Sequence, residues 1–325
     1  MHPPSHWKPS PQSPISRGSV WKNRPMQLLK SLARAAGTIA LMFTGGCAAA
    51  DADPQYAAAP VPAGPALWKL ADEDTTIYLF GTVHALPSDV QWYDGRVAAA
   101  FEASDELVTE IAMDDQLALT QALTGSAMLT DGQNLRDLMT PEDRKQYEQA
   151  MIDLGLPPGA LDPVEPWYAA MNLSVLPLVQ SGIDPAAGVD MVLTRAGANK
   201  RKDALETLEE QVALFDDMPV ADQLTFLDAT VEAVPDAARN LRELIDRWVV
   251  GDAVGLAAKM NEGLEDPALY QRLLIDRNRN WAGWIEHRLA EPGTVFIAVG
   301  AGHLAGDGSV QEQLAKRGYK VERVH

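Results

Sequence analysis

An α/β fold is predicted by one pattern that occurs twice in the sequence, a short apolar strand that stops at Gly-x-x-His. Residues 75–87, TTIYLFGTVHALP, run through Ile77, Tyr78, Leu79 and Phe80 to Gly81 and then His84. Residues 294–299, TVFIAV, run into Gly300 and then His303. Between the two lies a long stretch whose apolar residues mostly follow the helical period. The expected architecture is α/β (α+β), with a central β-sheet carrying both motifs and a large helical segment inserted between them. Side chains just past the carboxyl ends of strands line the ligand crevice of an open α/β sheet. Both imidazoles are therefore expected on one rim.

The first fifty residues differ in kind from the rest. They hold six Lys and Arg (Lys8, Arg17, Lys22, Arg24, Lys30, Arg34) and no Asp or Glu. This is the composition of an export leader, best begun at Met26, with Lys30 and Arg34 before an apolar run over residues 35–43 that is too short to span a bilayer. Phe43-Thr44-Gly45-Gly46-Cys47 resembles a lipobox, which would make Cys47 a lipid anchor; ordinary cleavage near residues 48–50 would discard it. Cys47 is the sole cysteine, so there is no disulfide framework and no thiol catalysis. The segments are thus a leader over 1–47, an Ala/Pro-rich tether over 48–66 and a folded domain over 67–325. The expected location is the periplasm or, as a lipoprotein, the outer membrane. Beyond residue 47 there are 21 basic and 45 acidic residues, a formal charge of −24. Such a surface repels nucleic acid and anionic lipid, which excludes nucleic-acid binding and leaves the anchor as the only membrane contact.

In the body of the chain, LWKL, a polar turn at 72–74 and TTIYLF read as a hairpin. Gly81 suits a turn of positive φ or a close backbone approach. Asp94 caps a helix over 96–103. A strand over 106–110 follows and ends on Glu110. Residues 115–250 read as mostly helical, with Thr140-Pro141 opening one helix and Gly155 closing it. The apolar segment 165–180 carries Pro177, expected to kink or break it, and Trp167, Met171 and Leu176, expected in the core. Gly188-Val189-Asp190 opens a helix that runs to the basic cluster Lys200-Arg201-Lys202. A strand is expected over 204–208, carrying Glu206, with further helices over 221–234, 236–250 and 266–289. The last unit, a strand over 294–299, a helix over 308–316 and a strand over 319–324, reads as a βαβ element.

Of six histidines, His2 and His6 lie in the leader, and two of the remaining four end matching strands. No HExxH helix, Gly-x-Ser-x-Gly elbow or P-loop is present. Two imidazoles among many carboxylates suit a divalent metal with an open position for an activated water. Imidazole admits zinc, iron, manganese or cobalt alike. Without metal, the same groups would serve as general acid and base.

GTVH at 81–84, Glu110, Gly188-Val189-Asp190, ALETLEEQ at 204–211, Asp276-Arg277-Asn278-Arg279 and the run 298–324 together resemble the TraB/GumN family, related to the Tiki metalloproteases. The resemblance spans residues 67–324. It implies a Tiki-like domain with a metal-dependent site: His84 and His303 as ligands, Glu110 as third ligand or general base, Arg277 as oxyanion stabiliser and Glu206 as a weaker catalytic candidate. The activity it implies is hydrolysis of a peptide or of a small-molecule amide. The alternative is a non-catalytic lipoprotein of the same fold that binds haem, iron or another ligand.

Overall fold

A computed structural model of the chain describes residues 64–87, 89–93, 95–112, 116–130, 132–261 and 270–324. The leader, Cys47, the tether as far as residue 63, Asp94 as a helix cap and the terminal His325 lie outside the described residues, whereas residues 64–66 of the expected tether are buried. Among the described residues, no helix is long and apolar enough to cross a membrane.

The chain opens on the predicted hairpin, β1 (Leu67–Ala71) and β2 (Thr75–Thr82), paired antiparallel with Trp68 opposite Leu79. Asp72 closes its turn by accepting the Thr75 amide at 2.8 Å. Helix α1 (Gly95–Glu102) leads to β3 (Glu106–Thr109), buried along its whole length. A helical region follows: α2 (Gln116–Ser126), α3 (Pro141–Asp153), α4 (Pro166–Gln180) and α5 (Val189–Ala196). Strand β4 (Arg201–Ala204) interrupts it before α6 (Leu208–Asp216), α7 (Val220–Ala233), α8 (Ala237–Val249) and α9 (Ala253–Asn261). A π-helical turn, Gln271–Ile275, runs directly into α10 (Asp276–Arg288). Strand β5 (Gly293–Gly300), a short 3₁₀ turn (Ala301–Leu304), α11 (Val310–Lys316) and β6 (Glu322–Arg323) complete the chain.

The six strands lie in the order β4-β3-β5-β2-β1-β6. The first four are mutually parallel and β1 is antiparallel to its neighbours. The two motif strands are immediate neighbours, Gly81 beside Val299 and Thr82 beside Gly300. One sheet face packs Phe80, Leu107 and Phe296 against α1, α5, α8 and α9. The other packs Ile77, Val108 and Ile297 against α10 and α11. A second, purely helical core around Tyr147, Trp167, Phe215 and Phe226 joins α3, α4, α6 and α7.

Several expectations are corrected. Pro177 does not break α4, which runs on to Gln180. Only its final turn lies beyond the proline, and burial of Leu173, Pro177 and Leu178 holds that turn in place. Trp167 is fully buried, whereas Met171 and Leu176 are only partly so. Strand β4 falls on the basic cluster itself rather than on 204–208, because it is a sheet edge whose side chains face solvent and show no apolar alternation. Helix α6 lies in the stretch read as mostly helical but begins on Leu208, the end of the expected strand, and α9 was not expected. The last βαβ unit is split, since β2 and β1 lie between β5 and β6. Gly81 has no positive φ. Its reason is close approach, since a Cβ there would stand 3.0 Å from Cα and Cβ of Ala301.

Candidate active site

The four parallel strands present their carboxyl ends on one rim, and each delivers one polar side chain there. Across the sheet the order is Glu206 after β4, Glu110 after β3, His303 after β5 and His84 after β2. Parallel pairing continues past the strands, with the Glu206 amide donating to the Glu110 carbonyl at 2.9 Å. Helix α10 crosses one face of this rim and adds Arg277, Asn278 and Trp281.

Arg277 is the centre of the cluster and is only 5% exposed. Its Nε and Nη2 form a fork on Glu206, 2.8 Å to each oxygen. Nη2 also donates to Oε2 of Glu110 at 2.7 Å. Nη1 donates to Nε2 of His303 at 3.1 Å and to the Leu273 carbonyl at 3.4 Å. All five N–H bonds of the guanidinium are thereby engaged. The π turn just before α10 is the kind of irregularity that re-aims a functional side chain. Trp281, one turn further on the same helix face, underlies the guanidinium at 4.8 Å and donates to Oε1 of Glu206 at 2.9 Å.

Glu110 is held from three sides: the Gly300 amide donates to Oε1 at 2.7 Å, and Arg277 and Gln211 Nε2 donate to Oε2, the latter at 2.9 Å. The second Gly-x-x-His turn therefore grips the glutamate through its own glycine. Burial alone would raise the Glu110 carboxyl, but Arg277, both histidines and the Gly300 amide bring it down to about 2.

The two imidazoles are held in opposite states. His303 is buried, with Nδ1 2.6 Å from Oδ1 of Asn278 and its ring 4.4 Å from that of Trp281. The Asn278 amide donates to the Gly308 carbonyl, so its oxygen faces the ring. The proton is thereby assigned to Nδ1, and Nε2 is the acceptor. Burial and the neighbouring Arg277 charge push His303 down to about 3, so it is neutral. His84 is the most exposed member, 31% accessible, with Nδ1 2.6 Å from Oδ2 of Asp190, whose side chain is 6% exposed. Burial lowers its pKa, but the Asp190 carboxylate outweighs that and lifts it to about 9. The GTVH turn is clamped onto the start of α5, where the Val189 amide donates to the Val83 carbonyl at 2.9 Å and so brings Asp190 to the ring.

All five residues singled out from the sequence, His84, Glu110, Glu206, Arg277 and His303, thus meet in one cluster. Asp190, Asn278, Trp281 and Gln211 complete it and were not expected. Three of them lie inside segments already noted, Gly188-Val189-Asp190, Arg277-Asn278 and ALETLEEQ, but no spacing rule pointed to their partners.

Residues 66–323 match the profile of the TraB/PrgY/gumN family. The chain belongs to that family. It is 25% identical over 244 residues to "Uncharacterized protein YbaP" of Escherichia coli, covering 73% of this chain and 87% of that protein. An "Uncharacterized protein" of Treponema pallidum is 19% identical over 265 residues, covering 77% of this chain and 80% of the other. "Metalloprotease TIKI1" of Danio rerio is 22% identical over 310 residues, 79% of this chain and 62% of TIKI1. No solved structure matches.

The likeness of this TraB/PrgY/gumN chain to a metalloprotease raises the question of whether its residues fit a metal. Among the described residues, no three His, Cys, Asp or Glu are grouped as a metal-holding set. The donor chemistry nevertheless fits a divalent cation. Each imidazole has its Nδ1 fixed by a second residue, Asp190 or Asn278, as metal-bound histidines do, leaving Nε2 as the ligating nitrogen. Glu110 adds an ionised carboxylate. In this arrangement the cation joining His303 and Glu110 is the Arg277 guanidinium. Every N–H of Arg277 is engaged inside the cluster. Its hydrogen bonds fix the side chains of Glu110 and Glu206.

Proposed function

We propose that the protein is an exported, metal-dependent hydrolase that cleaves a peptide or amide bond at the His84 end of the cluster. The observation that supports this most is the convergence of two Nδ1-pinned histidines and a fixed carboxylate on the carboxyl rim of a parallel sheet. His84, His303 and Glu110 would hold the ion, which would supply polarisation of the scissile carbonyl and a water acidic enough to lose its proton at neutral pH. Asp190 and Asn278 orient the two rings. Glu110, within a hydrogen-bonded shell of Arg277, Gln211 and the Gly300 amide, would serve as the third ligand or, in place of that, as the general base. Arg277 would keep Glu110 ionised, as a ligand to a cation requires. The depth of Arg277 and His303 leaves the half-exposed His84 as the face a substrate meets.

A second reading is favoured by one observation, the His84–Asp190 pair. In metal-free protein this pair holds an imidazolium at neutral pH, which could act as a general acid without any metal. The haem- or iron-binding alternative has less support, since no contact in the cluster favours it over a single divalent ion. Incubation of the purified mature domain with a peptide library, with and without chelator, separates the readings. We expect cleavage that chelator abolishes, that added manganese, cobalt, zinc or iron restores, and that His84→Ala lacks. Cleavage indifferent to chelator would favour the acid–base reading, and a Soret band on haem titration without any cleavage would favour the binding protein.

A further inference from the structure

A cavity of about 180 Å³ lies on the α5 side of the sheet, lined by residues that stand within four positions of Glu110, Asp190 or Glu206 in the chain. Leu107 and Thr109 of β3 form its floor and Thr194 of α5 forms one wall. Ala112, Ala204 and the oppositely charged pair Lys202 and Asp203 complete it. Each wall is continuous in the chain with a residue of the cluster. Thr109 precedes Glu110. Ala204 lies two residues before Glu206. Thr194 stands one helical turn after Asp190, on the same face of α5. Leu107 belongs to the core on the α5 face and Val108 to the opposite core, so Thr109 shares the face of Leu107. This is also the face from which Asp190 holds His84, while Arg277 approaches from the other.

The cavity wall is mainly apolar. The Thr109 hydroxyl is turned onto the Ile111 carbonyl at 2.7 Å, and the Thr194 hydroxyl oxygen is buried without a partner. Lys202 and Asp203 bring opposite charges, so neither sign of guest is favoured. A pocket of this composition beside a reactive centre selects a side chain by size and apolarity.

We propose that this cavity is the side-chain specificity pocket of the enzyme, and that it takes an uncharged apolar side chain of leucine or methionine size from the substrate peptide. The proposal rests on the hydrolase reading above and deepens it. The guest enters beside β3 and α5, and its backbone then lies across the rim next to His84 and Glu110. Thr194 sets the depth.

The test compares blocked alanine peptides with counterparts carrying a single leucine or methionine. Wild type is expected to favour the leucine and methionine peptides in kcat/KM by about 10-fold or more, since one methylene in an apolar pocket already provides about 10-fold. Thr194→Met fills the cavity and is expected to abolish that preference, bringing the leucine and methionine rates down to the alanine rate of the same variant. Thr194→Val keeps the shape and removes only an unpartnered hydroxyl, so its preference is expected to match wild type. An unchanged leucine-to-alanine ratio in Thr194→Met, with the variant folded by circular dichroism, would overturn the pocket. If wild type cleaves no peptide, the hydrolase reading fails by itself. The pocket is then judged by calorimetric binding of the same peptides: leucine discrimination that Thr194→Met removes supports it, and absence of discrimination in wild type overturns it.

Discussion

With all its N–H groups engaged, Arg277 is the cation that joins two mostly buried glutamates and a neutral histidine. Replacing it by Met leaves Glu110 and Glu206 buried without their counter-charge, and breaking one side of such a pair costs about 3–5 kcal/mol. Chemical denaturation of Arg277→Met is expected to show a loss of that order, and a loss within about 0.5 kcal/mol would contradict the central place given to this residue. The His84–Asp190 pair makes a different prediction, because its effect is on protonation. In chelator-treated wild type, the His84 ring is expected to titrate near pH 9 by NMR. Asp190→Asn removes the carboxylate that raises it, and burial then takes the midpoint below the ordinary 6.5. The folded-state pKa is raised, so the stabilisation contributed by the pair is complete below pH 6.5 and disappears as the pH climbs through about 9. An unchanged midpoint in Asp190→Asn would show that the pair does not set the charge of His84. None of this was visible as pattern. His84 and His303 stood out because each follows a strand and a glycine, whereas their partners Asp190 and Asn278 are 106 and 25 residues away in the chain. A hydrogen bond over that separation leaves no periodicity to read.

At the scale of elements, the two Gly-x-x-His turns are locked to each other. β2 and β5 pair through Thr82 and Gly300, Gly81 lies against Ala301, and the buried Trp248 of α8 donates to the Gly81 carbonyl at 2.8 Å. Gly81→Ala would press a methyl into the backbone of the turn that carries His303. Overpacking of this kind costs about 1–3 kcal/mol, and the thermal midpoint is expected to fall accordingly, with activity falling further than stability because the displaced turn bears the histidine. A variant as stable and as active as wild type would remove the glycine from the account. Both turns were legible from the sequence because buried strands write an apolar run and a glycine ends it. Strand β4 was misplaced for the opposite reason: Arg201, Lys202 and Asp203 are exposed at the sheet edge, and backbone pairing to β3 alone makes the strand. Pro177 misled in the same way, since tertiary burial outweighed a local rule near the end of α4.

At the scale of the whole molecule, chain order and sheet order are unrelated, and the site exists because of that. Glu110, Glu206 and His303 come from strands far apart in sequence that the order β4-β3-β5-β2 sets side by side. Helices α3, α4, α6 and α7 build a core of their own and return one residue, Gln211, to the cluster. A parallel sheet with one polar residue at each carboxyl end is a frame for chemistry, and the paired histidines are the part of it that a metal would use. The most direct measurement is the divalent-metal content of the purified mature domain, read together with peptide cleavage, for wild type and for His84→Ala/His303→Ala. The account predicts about one ion per chain in wild type, with cleavage that tracks it, and the loss of both in the double variant. Undiminished cleavage by a protein that holds no divalent ion would contradict it.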